Sequence, residues 1–339
     1  MNFMKPVNLG MIAIAALLIL GCNDEKDPVK EEFKLPSQVI KKIEIDNNGM
    51  KWIATEKGLV ALNDNKWYTF SSNNLLTATS IDELAFSNAS GKDELWLGTG
   101  LGAASFDFTS TAIGTFTTYN KEQSGILANS VSAIDINKNN VKFIGTSGGL
   151  SIMKGTDWNQ FMGRKGEEIL KQYKISAVAT ASSGRVYAAT QGGGVSSFKY
   201  TDAITGETTL NQPWAWGLKS DTVYTVIVVE NNNQWYGTNK GAALHTSEFT
   251  KSDWESYSRA DGLICDSVYA IAKDQSGNVW FGTHKGVSKF NGTAWVNYTT
   301  KDGLIDNKIN TLAIDKDGSV WFGTDKGLSH FINNQWINY

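Results

Sequence analysis

Short stretches in which apolar and polar residues alternate recur along most of the chain. Three of the clearest begin at Val131 ("VSAIDI"), Val268 ("VYAIAKD") and Ile309 ("INTLAID"). A period of two is the pattern of a β-strand with one face buried, and no helical periodicity accompanies it. The pattern therefore predicts an all-β protein made of many short strands.

A four-residue phrase marks a repeat: an aromatic residue, an apolar residue, a small residue and threonine. Its seven copies begin at Trp52, Trp96, Phe143, Tyr187, Trp235, Trp280 and Trp321. The copies lie about 41 to 48 residues apart, a period typical of propeller blades. An alternating strand precedes each copy and two further short strands follow it, which predicts four strands per unit.

Turn residues and aromatic pairs complete the units. Asp46, Asp274 and Asp315 stand three residues before a glycine, where a carboxylate can accept the backbone N–H groups of a tight turn. A metal site is the alternative, but none of these aspartates has a second carboxylate clustered beside it. The predicted fourth strands carry aromatic pairs three residues apart: Trp67/Phe70, Phe116/Tyr119, Trp158/Phe161, Trp254/Tyr257, Trp295/Tyr298 and Trp336/Tyr339.

Units of this length and strand number predict a seven-bladed β-propeller over residues 35–339, with four antiparallel strands per blade. A single blade has two apolar faces that it cannot bury alone, so the blades must stack until the ring closes. The repeated aromatic residues are interpreted as packing between blades. The segment from Leu35 aligns without gaps on that from Leu304, which indicates seven whole units.

The N-terminus reads as a targeting segment. Residues 1–21 contain Lys5 and an apolar run too short to span a bilayer, which predicts a signal peptide. The "ILGC" that ends at Cys22 resembles a bacterial lipobox, with Ile19 and Leu20 departing from the usual residues. This resemblance implies a lipidated Cys22; an ordinary cleaved signal with an incidental cysteine is the alternative. Residues 22–34 are expected to be an acidic, solvated tether. The residues directly after the cysteine, Asn23, Asp24 and Glu25, resemble the surface-export signal of Bacteroidetes lipoproteins.

Composition narrows the function. Lys and Arg number 31 against 34 Asp and Glu, and no dense basic cluster is present, so nucleic acid is not an expected partner. Cys265 is the second of two cysteines. With Cys22 lipidated no disulfide can form within the chain, and packing must hold an exported domain together.

Two units resemble the two-component regulator propeller repeat: "GLICDSVYAIAKDQSGNVWFGTHKGVSKF" and "GLIDNKINTLAIDKDGSVWFGTDKGLSHF". The resemblance extends over residues 35–339 and is weakest in unit four. It implies an extracytoplasmic sensor-type propeller. The family's sensors typically continue into a membrane helix, a kinase core and a response regulator, which this sequence does not show. The expectation is a lipid-anchored propeller standing alone.

Ligand-binding residues are expected where the turns between second and third strands share a face with the loops that lead into each first strand. Glu56, Gln191, Asn239, His284 and Asp325 occupy these turns. Their mixed polarity suits a hydroxyl-rich or peptide ligand better than a single anion, and it equally suits plain solvent.

Unit four adds Trp214 and Trp216 in a divergent loop that leads to the same face. Flat apolar rings can stack on sugars, which makes both tryptophans candidates for ligand binding. The alternative is that one of them fills the aromatic position that the fourth strand of this unit lacks.

Catalysis has little support in the sequence. His245 and His330 fall on third strands of different units, and no histidines or carboxylates show the spacing of a metal centre. No catalytic residue, metal or cofactor is therefore predicted. Streptogramin lyases also use seven blades and a histidine on the loop face, and His284 is the candidate for that role here.

The prediction is an outer-membrane lipoprotein facing the periplasm or the cell surface, whose propeller binds or senses a glycan or a partner protein without catalysis. A purely structural interaction scaffold is the alternative, and a lyase-like enzyme comes third. The fold does not name the ligand.

Overall fold

The computed structural model describes residues 34–70, 80–88, 93–107, 115–162, 170, 174–200, 204–210, 217–246 and 253–339. These residues form seven four-stranded antiparallel sheets, each with its strands in chain order, and together they make a seven-bladed β-propeller. The predicted fold class is confirmed. No helix among the described residues is long and apolar enough to cross a membrane.

The blades follow one another along the chain, each built from four consecutive strands. Blade 1 holds β1 (Ile40–Ile45), β2 (Lys51–Thr55), β3 (Gly58–Asn63) and β4 (Lys66–Phe70); blade 2 holds β5 (Ile81–Ser87), β6 (Glu94–Thr99), β7 (Gly102–Asp107) and β8 (Thr115–Tyr119). Blade 3 holds β9 (Val131–Ile136), β10 (Lys142–Thr146), β11 (Gly149–Lys154) and β12 (Asp157–Phe161); blade 4 holds β13 (Ile175–Thr180), β14 (Arg185–Thr190), β15 (Val195–Tyr200) and β16 (Ile204–Leu210).

The remaining three blades repeat this plan. Blade 5 holds β17 (Val223–Val228), β18 (Gln234–Thr238), β19 (Gly241–His245) and β20 (Trp254–Tyr257). Blade 6 holds β21 (Val268–Lys273), β22 (Val279–Thr283), β23 (Gly286–Phe290) and β24 (Trp295–Tyr298), and blade 7 holds β25 (Ile309–Ile314), β26 (Val320–Thr324), β27 (Leu328–Ile332) and β28 (Gln335–Asn338). Short 3-10 helices lie at Glu230–Asn232 and Arg259–Asp261.

The first strand of every blade is the innermost. First strands of neighbouring blades contact one another around the whole ring, including β25 of blade 7 with β1 of blade 1. The ring therefore closes by packing between whole blades. At this seam Asn310 Nδ2 donates to the Ile40 carbonyl at 3.0 Å, and Lys51 Nζ lies 2.6 Å from Asp315 Oδ2.

The repeated phrase is explained by its threonine and its small residue. In every blade the threonine hydroxyl donates to the carbonyl of the glycine at the start of the third strand or immediately before it, as Thr283 Oγ1 does to Gly286 O at 2.8 Å. In six blades the backbone N–H two residues after the threonine donates back to that hydroxyl, as Lys285 N does at 3.0 Å, and in blade 4 the donor is Gly193 N. The phrase thus builds the tight turn between second and third strands.

The residue before the threonine must be small because the next blade packs against it. A Cβ atom on Gly282 would lie 2.6 Å from Ile309 Cγ2, on the first strand of blade 7. The equivalent Gly323 would meet Ile40 of blade 1 at the same distance. These close approaches let inner strands sit side by side around the axis.

The predicted aspartates lie in the tight turns between first and second strands. Asp274 Oδ1 accepts the Ser276 and Asn278 backbone N–H groups, and its Oδ2 accepts the Trp280 indole N–H at 2.9 Å. Asp46 repeats this arrangement in blade 1, with Trp52 as the indole donor. Asp315 accepts the Lys316 backbone N–H and pairs across the seam with Lys51. The turn interpretation is confirmed for Asp46 and Asp274, whereas in blade 7 Asp317 accepts the Ser319 backbone N–H of the turn.

Candidate functional site

A cavity of about 870 Å³ runs along the propeller axis. Residues from the first strands of all seven blades line it, and so do Glu56, Gln191 and Asp325 from turns between second and third strands. Ile40, which opens β1, pairs with Thr55 beside the Glu56 turn, so the start of each first strand lies at the same end as these turns. The cavity therefore has a mouth on the loop face.

Seven side chains form a ring at this mouth, one from each blade. Each is the second residue of its first strand and directly follows the buried residue that opens the strand. In most blades the pairing with the second strand shifts register at this residue. This set, the mouth ring, comprises Lys41, Asp82, Ser132, Ser176, Tyr224, Tyr269 and Asn310.

Three members of the mouth ring tie neighbouring blades together. Ser132 Oγ donates to Ile175 O, Ser176 Oγ donates to Val223 O, and Asn310 Nδ2 donates to Ile40 O. In each case the acceptor is the carbonyl of the residue that opens the next first strand. In three of the seven blades this position is thus a bracket between inner strands.

Blades 5 and 6 place tyrosines at this position instead. The Tyr224 and Tyr269 rings lie 4.7 Å apart with a 36° angle between their planes. Burial raises the pKa of Tyr224, and the hydrogen bond with Tyr269 raises it further. Both rings line the cavity and stay partly exposed. They form a small aromatic surface at the mouth.

Ion pairs stand beside the mouth ring. Lys41 Nζ lies 3.3 Å from Glu56 Oε1, and Lys308 Nζ lies 2.7 Å from Asp325 Oδ2. Asp325 Oδ1 also accepts the Asn310 amide at 2.7 Å. Burial acts to raise the pKa of Asp325, but the hydrogen bonds from Asn310 and Lys308 outweigh it and lower that pKa. Asp325 is therefore held ionised and fixed in place.

Deeper in the channel, three carboxyl groups surround one ammonium group. Lys42 Nζ lies 2.6 Å from Glu83 Oε1, with Glu44 and Asp135 close enough to interact with it electrostatically. Burial raises the pKa of Glu44 to about 7, and the nearby Glu83 and Asp135 carboxyls add to this rise against the opposing effect of Lys42. Burial also raises the pKa of Asp135. These four charged residues come from the first strands of blades 1, 2 and 3.

The turn residues proposed from the sequence divide into two groups. Glu56, Gln191 and Asp325 line the cavity, whereas Asn239 and His284 are not among the described residues that do so. Asn239 accepts the Ser220 hydroxyl. His284 lies with its Nδ1 3.5 Å from the Cys265 sulfur. The geometry does not test whether any of them binds a ligand.

The tryptophans of unit four and the lipidation site fall elsewhere. Trp214, Trp216 and Cys22 lie outside the described residues.

Sequence reasoning missed Tyr224 and Tyr269. The available signal was the alternating stretch itself, which reads "VSAI" and "ISAV" in blades 3 and 4 but "VYTV" and "VYAI" in blades 5 and 6. A tyrosine in place of serine indicates a candidate binding surface only when this position is known to face the axis. Within the described part of the chain, no group of three His, Cys, Asp or Glu residues is arranged to hold a metal ion.

Comparison with known families identifies the repeat. The two component regulator propeller family matches residues 262–285 and 303–326, which cover the starts of blades 6 and 7. Blades 6 and 7 thus carry repeats of the two-component regulator propeller type. No curated protein sequence matches the chain.

Solved structures share the fold at low sequence identity. An extracellular domain assigned to a hybrid two component system of B. thetaiotaomicron is 21% identical, with a TM-score of 0.72 over 88% of this chain and 39% of that one. This chain thus spans about two fifths of that protein's length. Virginiamycin B lyase from Staphylococcus aureus is 12% identical, with a TM-score of 0.64 over 85% of this chain and 92% of the lyase.

A third structure with this fold is YCF48 bound to D1 peptide. It is 13% identical, with a TM-score of 0.63 over 91% of this chain and 95% of that one. Propellers of this kind therefore include a sensor domain, an enzyme and a peptide-bound protein, and the fold alone does not choose between them.

Proposed function

We propose that this protein is a binding or sensing propeller of the bacterial cell envelope that recognises a glycan or a partner protein on its loop face, without catalysis. The observation that carries this proposal is the cavity of about 870 Å³ whose mouth lies on that face. Its volume falls within the range of about 300–1,000 Å³ common among ligand sites. Two component regulator propeller repeats, and likeness to a sensor's extracellular domain, support the same class of function.

The anchor belongs to the same proposal. Lipidation at Cys22 would place the propeller on the outer membrane, and the acidic segment of residues 22–34 would hold it at a distance from the lipid surface. This arrangement leaves the loop face accessible to envelope ligands on the periplasmic or the outer side.

The deciding experiment is a parallel screen of a soluble chain of residues 35–339, which contains all seven blades. A glycan array measures saccharide binding, and a pulldown from envelope extract measures protein partners. Saturable binding to either one supports a recognition role. Absence of both under conditions where the protein is folded would contradict it, as would turnover of a substrate in place of binding.

Two alternatives predict different outcomes. A structural interaction scaffold predicts a stoichiometric protein partner with no saccharide binding. A lyase-like activity would need His284 at the reacting centre. This side chain contacts Cys265, and its ring centre lies 6.4 Å from that of Tyr269, but it does not appear among the described residues that line the channel. No observed contact favours the enzyme over a binding role.

A further inference from the structure

Three of the seven mouth-ring residues bracket the next inner strand, and the two tyrosines of the adjacent blades 5 and 6 are among the four that do not. Ser132, Ser176 and Asn310 use this position to bracket the next inner strand. Tyr224 and Tyr269 give up that bracket and pair with each other beside the cavity. Places where a repeated structural rule is broken are where function is expected, because the lost contact needs a compensating use.

The tyrosine pair offers a combination of surfaces suited to a sugar ring. Its rings present flat apolar area, and its two hydroxyl groups can donate and accept hydrogen bonds. A saccharide has the same two characters, with C–H groups on the faces of the ring and hydroxyl groups around its edge. The two rings pack on each other with centroids 4.7 Å apart and a 36° tilt, so a ligand would meet their outer faces and edges.

Fixed polar groups stand next to this tyrosine pair. Blade 7 adjoins blade 6 and brings Lys308, Asp325 and Asn310 to the same side of the mouth, where they bond to one another at 2.7 Å. Lys308 interacts electrostatically with Tyr269. The Lys308 ammonium group can donate a hydrogen bond to a ligand hydroxyl group, and the Asp325 carboxylate can accept one. Because their mutual bonds already fix both side chains, neither has to be ordered when the ligand binds.

The charged residues that line the channel favour some classes of saccharide over others. At the mouth three lysines, Lys41, Lys174 and Lys308, match three carboxylates, Glu56, Asp82 and Asp325. Deeper in the channel Lys42 faces the three carboxyl groups of Glu44, Glu83 and Asp135. A balanced mouth above an acidic interior is unfavourable to an anionic ligand and tolerates a neutral or cationic one.

We infer that the mouth of the axial channel binds the end of a neutral or amino-bearing saccharide, with one ring stacked on the Tyr224–Tyr269 pair and its hydroxyl groups bonded to Lys308 and Asp325. This inference rests on the proposed binding function and assigns its site to the channel axis. The divergent loop with Trp214 and Trp216 is then not required for the primary contact.

The repeat itself supplies the test variants. Tyr224→Ser copies Ser132 and Ser176, and Tyr269→Asn copies Asn310, so each should restore an inter-blade bracket while it removes the aromatic surface. Tyr68→Ser is the matched control, because Tyr68 is an exposed tyrosine on an outer strand. Lys308→Gln tests the polar side and removes a charge from a partly exposed ion pair.

Oligosaccharides that share one core and end in a neutral hexose, a hexosamine with a free amine or a hexuronic acid are titrated against the 35–339 chain. Neutral or amine-bearing ends should bind, and the uronic acid should bind at least tenfold more weakly. Tyr224→Ser and Tyr269→Asn should each weaken the best ligand tenfold or more with an unchanged Tm, whereas Tyr68→Ser should bind like the wild type.

Other results separate the site from the function. Wild-type affinity in both tyrosine variants and in Lys308→Gln would overturn this site and leave saccharide binding intact. Preferred binding of the uronic acid would overturn the charge argument. Capture of a protein partner with no saccharide binding by the folded wild type would overturn the inference while the broader recognition role stands.

Discussion

Trp280 shows how one repeated side chain serves both its own turn and the neighbouring blade. Its indole N–H donates to Asp274, and its ring lies 5.9 Å from Phe322 of blade 7. Burial alone would raise the pKa of Asp274, but hydrogen bonds from Trp280 and Asn278 hold that pKa below its usual value. Trp280 is therefore held by a hydrogen bond to the ionised Asp274 carboxylate and by packing against blade 7.

Trp280→Ala should lower the free energy of unfolding by about 3–5 kcal/mol, because it opens a cavity between blades and leaves Asp274 without its indole donor. Val296→Ala, on an outer strand with 48% of the residue exposed, should change it by less than about 0.5 kcal/mol. Denaturant unfolding of the two variants measures the difference. Equal effects would contradict the assignment of Trp280 to blade packing.

Glu44 makes stability depend on pH. Its carboxyl has a pKa of about 7 in the fold against an ordinary value of 4.5, and it faces Lys42, Glu83 and Asp135. Between these two values the folded protein binds more protons than the unfolded chain. The free energy of unfolding should therefore fall as pH rises from about 4.5 to 7, by up to about 3 kcal/mol from this group.

Glu44→Gln should remove that part of the decline. The variant should match the wild type near pH 4.5 and exceed it in stability at pH 8, because glutamine cannot ionise in the buried site. Unfolding in denaturant at a series of pH values measures this. A wild-type slope in the variant would mean that Glu44 is not the group that titrates.

Individual residues were predictable where the repeat constrains them. The turn aspartates and the aromatic phrase follow from local spacing and regular burial. Tyr224, Tyr269 and the Lys42–Glu83 pair were not predictable, because their positions acquire meaning only when inner strands from different blades meet at the axis. Lys42 and Glu83 belong to different blades, and no local pattern connects them.

At the scale of elements, the glycine of the repeated phrase sets how closely blades approach. A Cβ atom on Gly282 would lie 2.6 Å from Ile309 Cγ2 and 3.1 Å from Ile309 Cβ, so a side-chain rotation cannot relieve the contact. Gly282→Ala should therefore push β25 away and cost about 1–3 kcal/mol.

Gly100→Ala is the control for that substitution, because nothing lies within 4 Å of the Cβ it would add. Thermal unfolding of the two variants should show a clear loss of Tm for the first and little change for the second. Ala54 and Ala189 occupy the equivalent position in blades 1 and 4. An unaffected Gly282 variant would mean that blade spacing is adjustable.

The number, order and type of the elements were readable from the sequence. Alternation gave the strands, and the spacing of the repeated phrase gave the blades. Blade 4 was the hardest to interpret because its fourth strand, Ile204–Leu210, lacks the aromatic pair that marks this strand in the other units. Which strand is innermost depends on contacts between units, and no single unit encodes it.

At the scale of the whole molecule, the lipid anchor is tested by Cys22→Ser. Because the proposed anchor is a lipid linked to that sulfur, the variant should leave the membrane fraction and appear in the soluble fraction of fractionated cells. The Cys265→Ser variant is the control and should stay with the membranes. A Cys22→Ser protein that stays membrane-bound after a salt wash would contradict the lipobox interpretation.

Ring closure makes the seven blades interdependent. Deletion of residues 299–339 removes blade 7 and uncovers Trp280 on one side and Ile40 and Ile43 on the other, since these side chains pack against blade 7 in the intact ring. The deletion should therefore yield insoluble protein, whereas a linear array of repeats would tolerate the loss of its last unit.

A circular permutant separates lost packing from a changed chain order. Leu35 and Tyr339 pack in the same cluster at the seam, so a short linker can join the two ends. A chain that begins at residue 299, runs through that linker and ends at residue 298 keeps every blade contact and should fold with a Tm close to that of the original ring. Soluble, cooperatively unfolding protein from the deletion would show that the blades do not depend on closure, whereas aggregation of the permutant would show that chain order, and not only lost packing, decides folding.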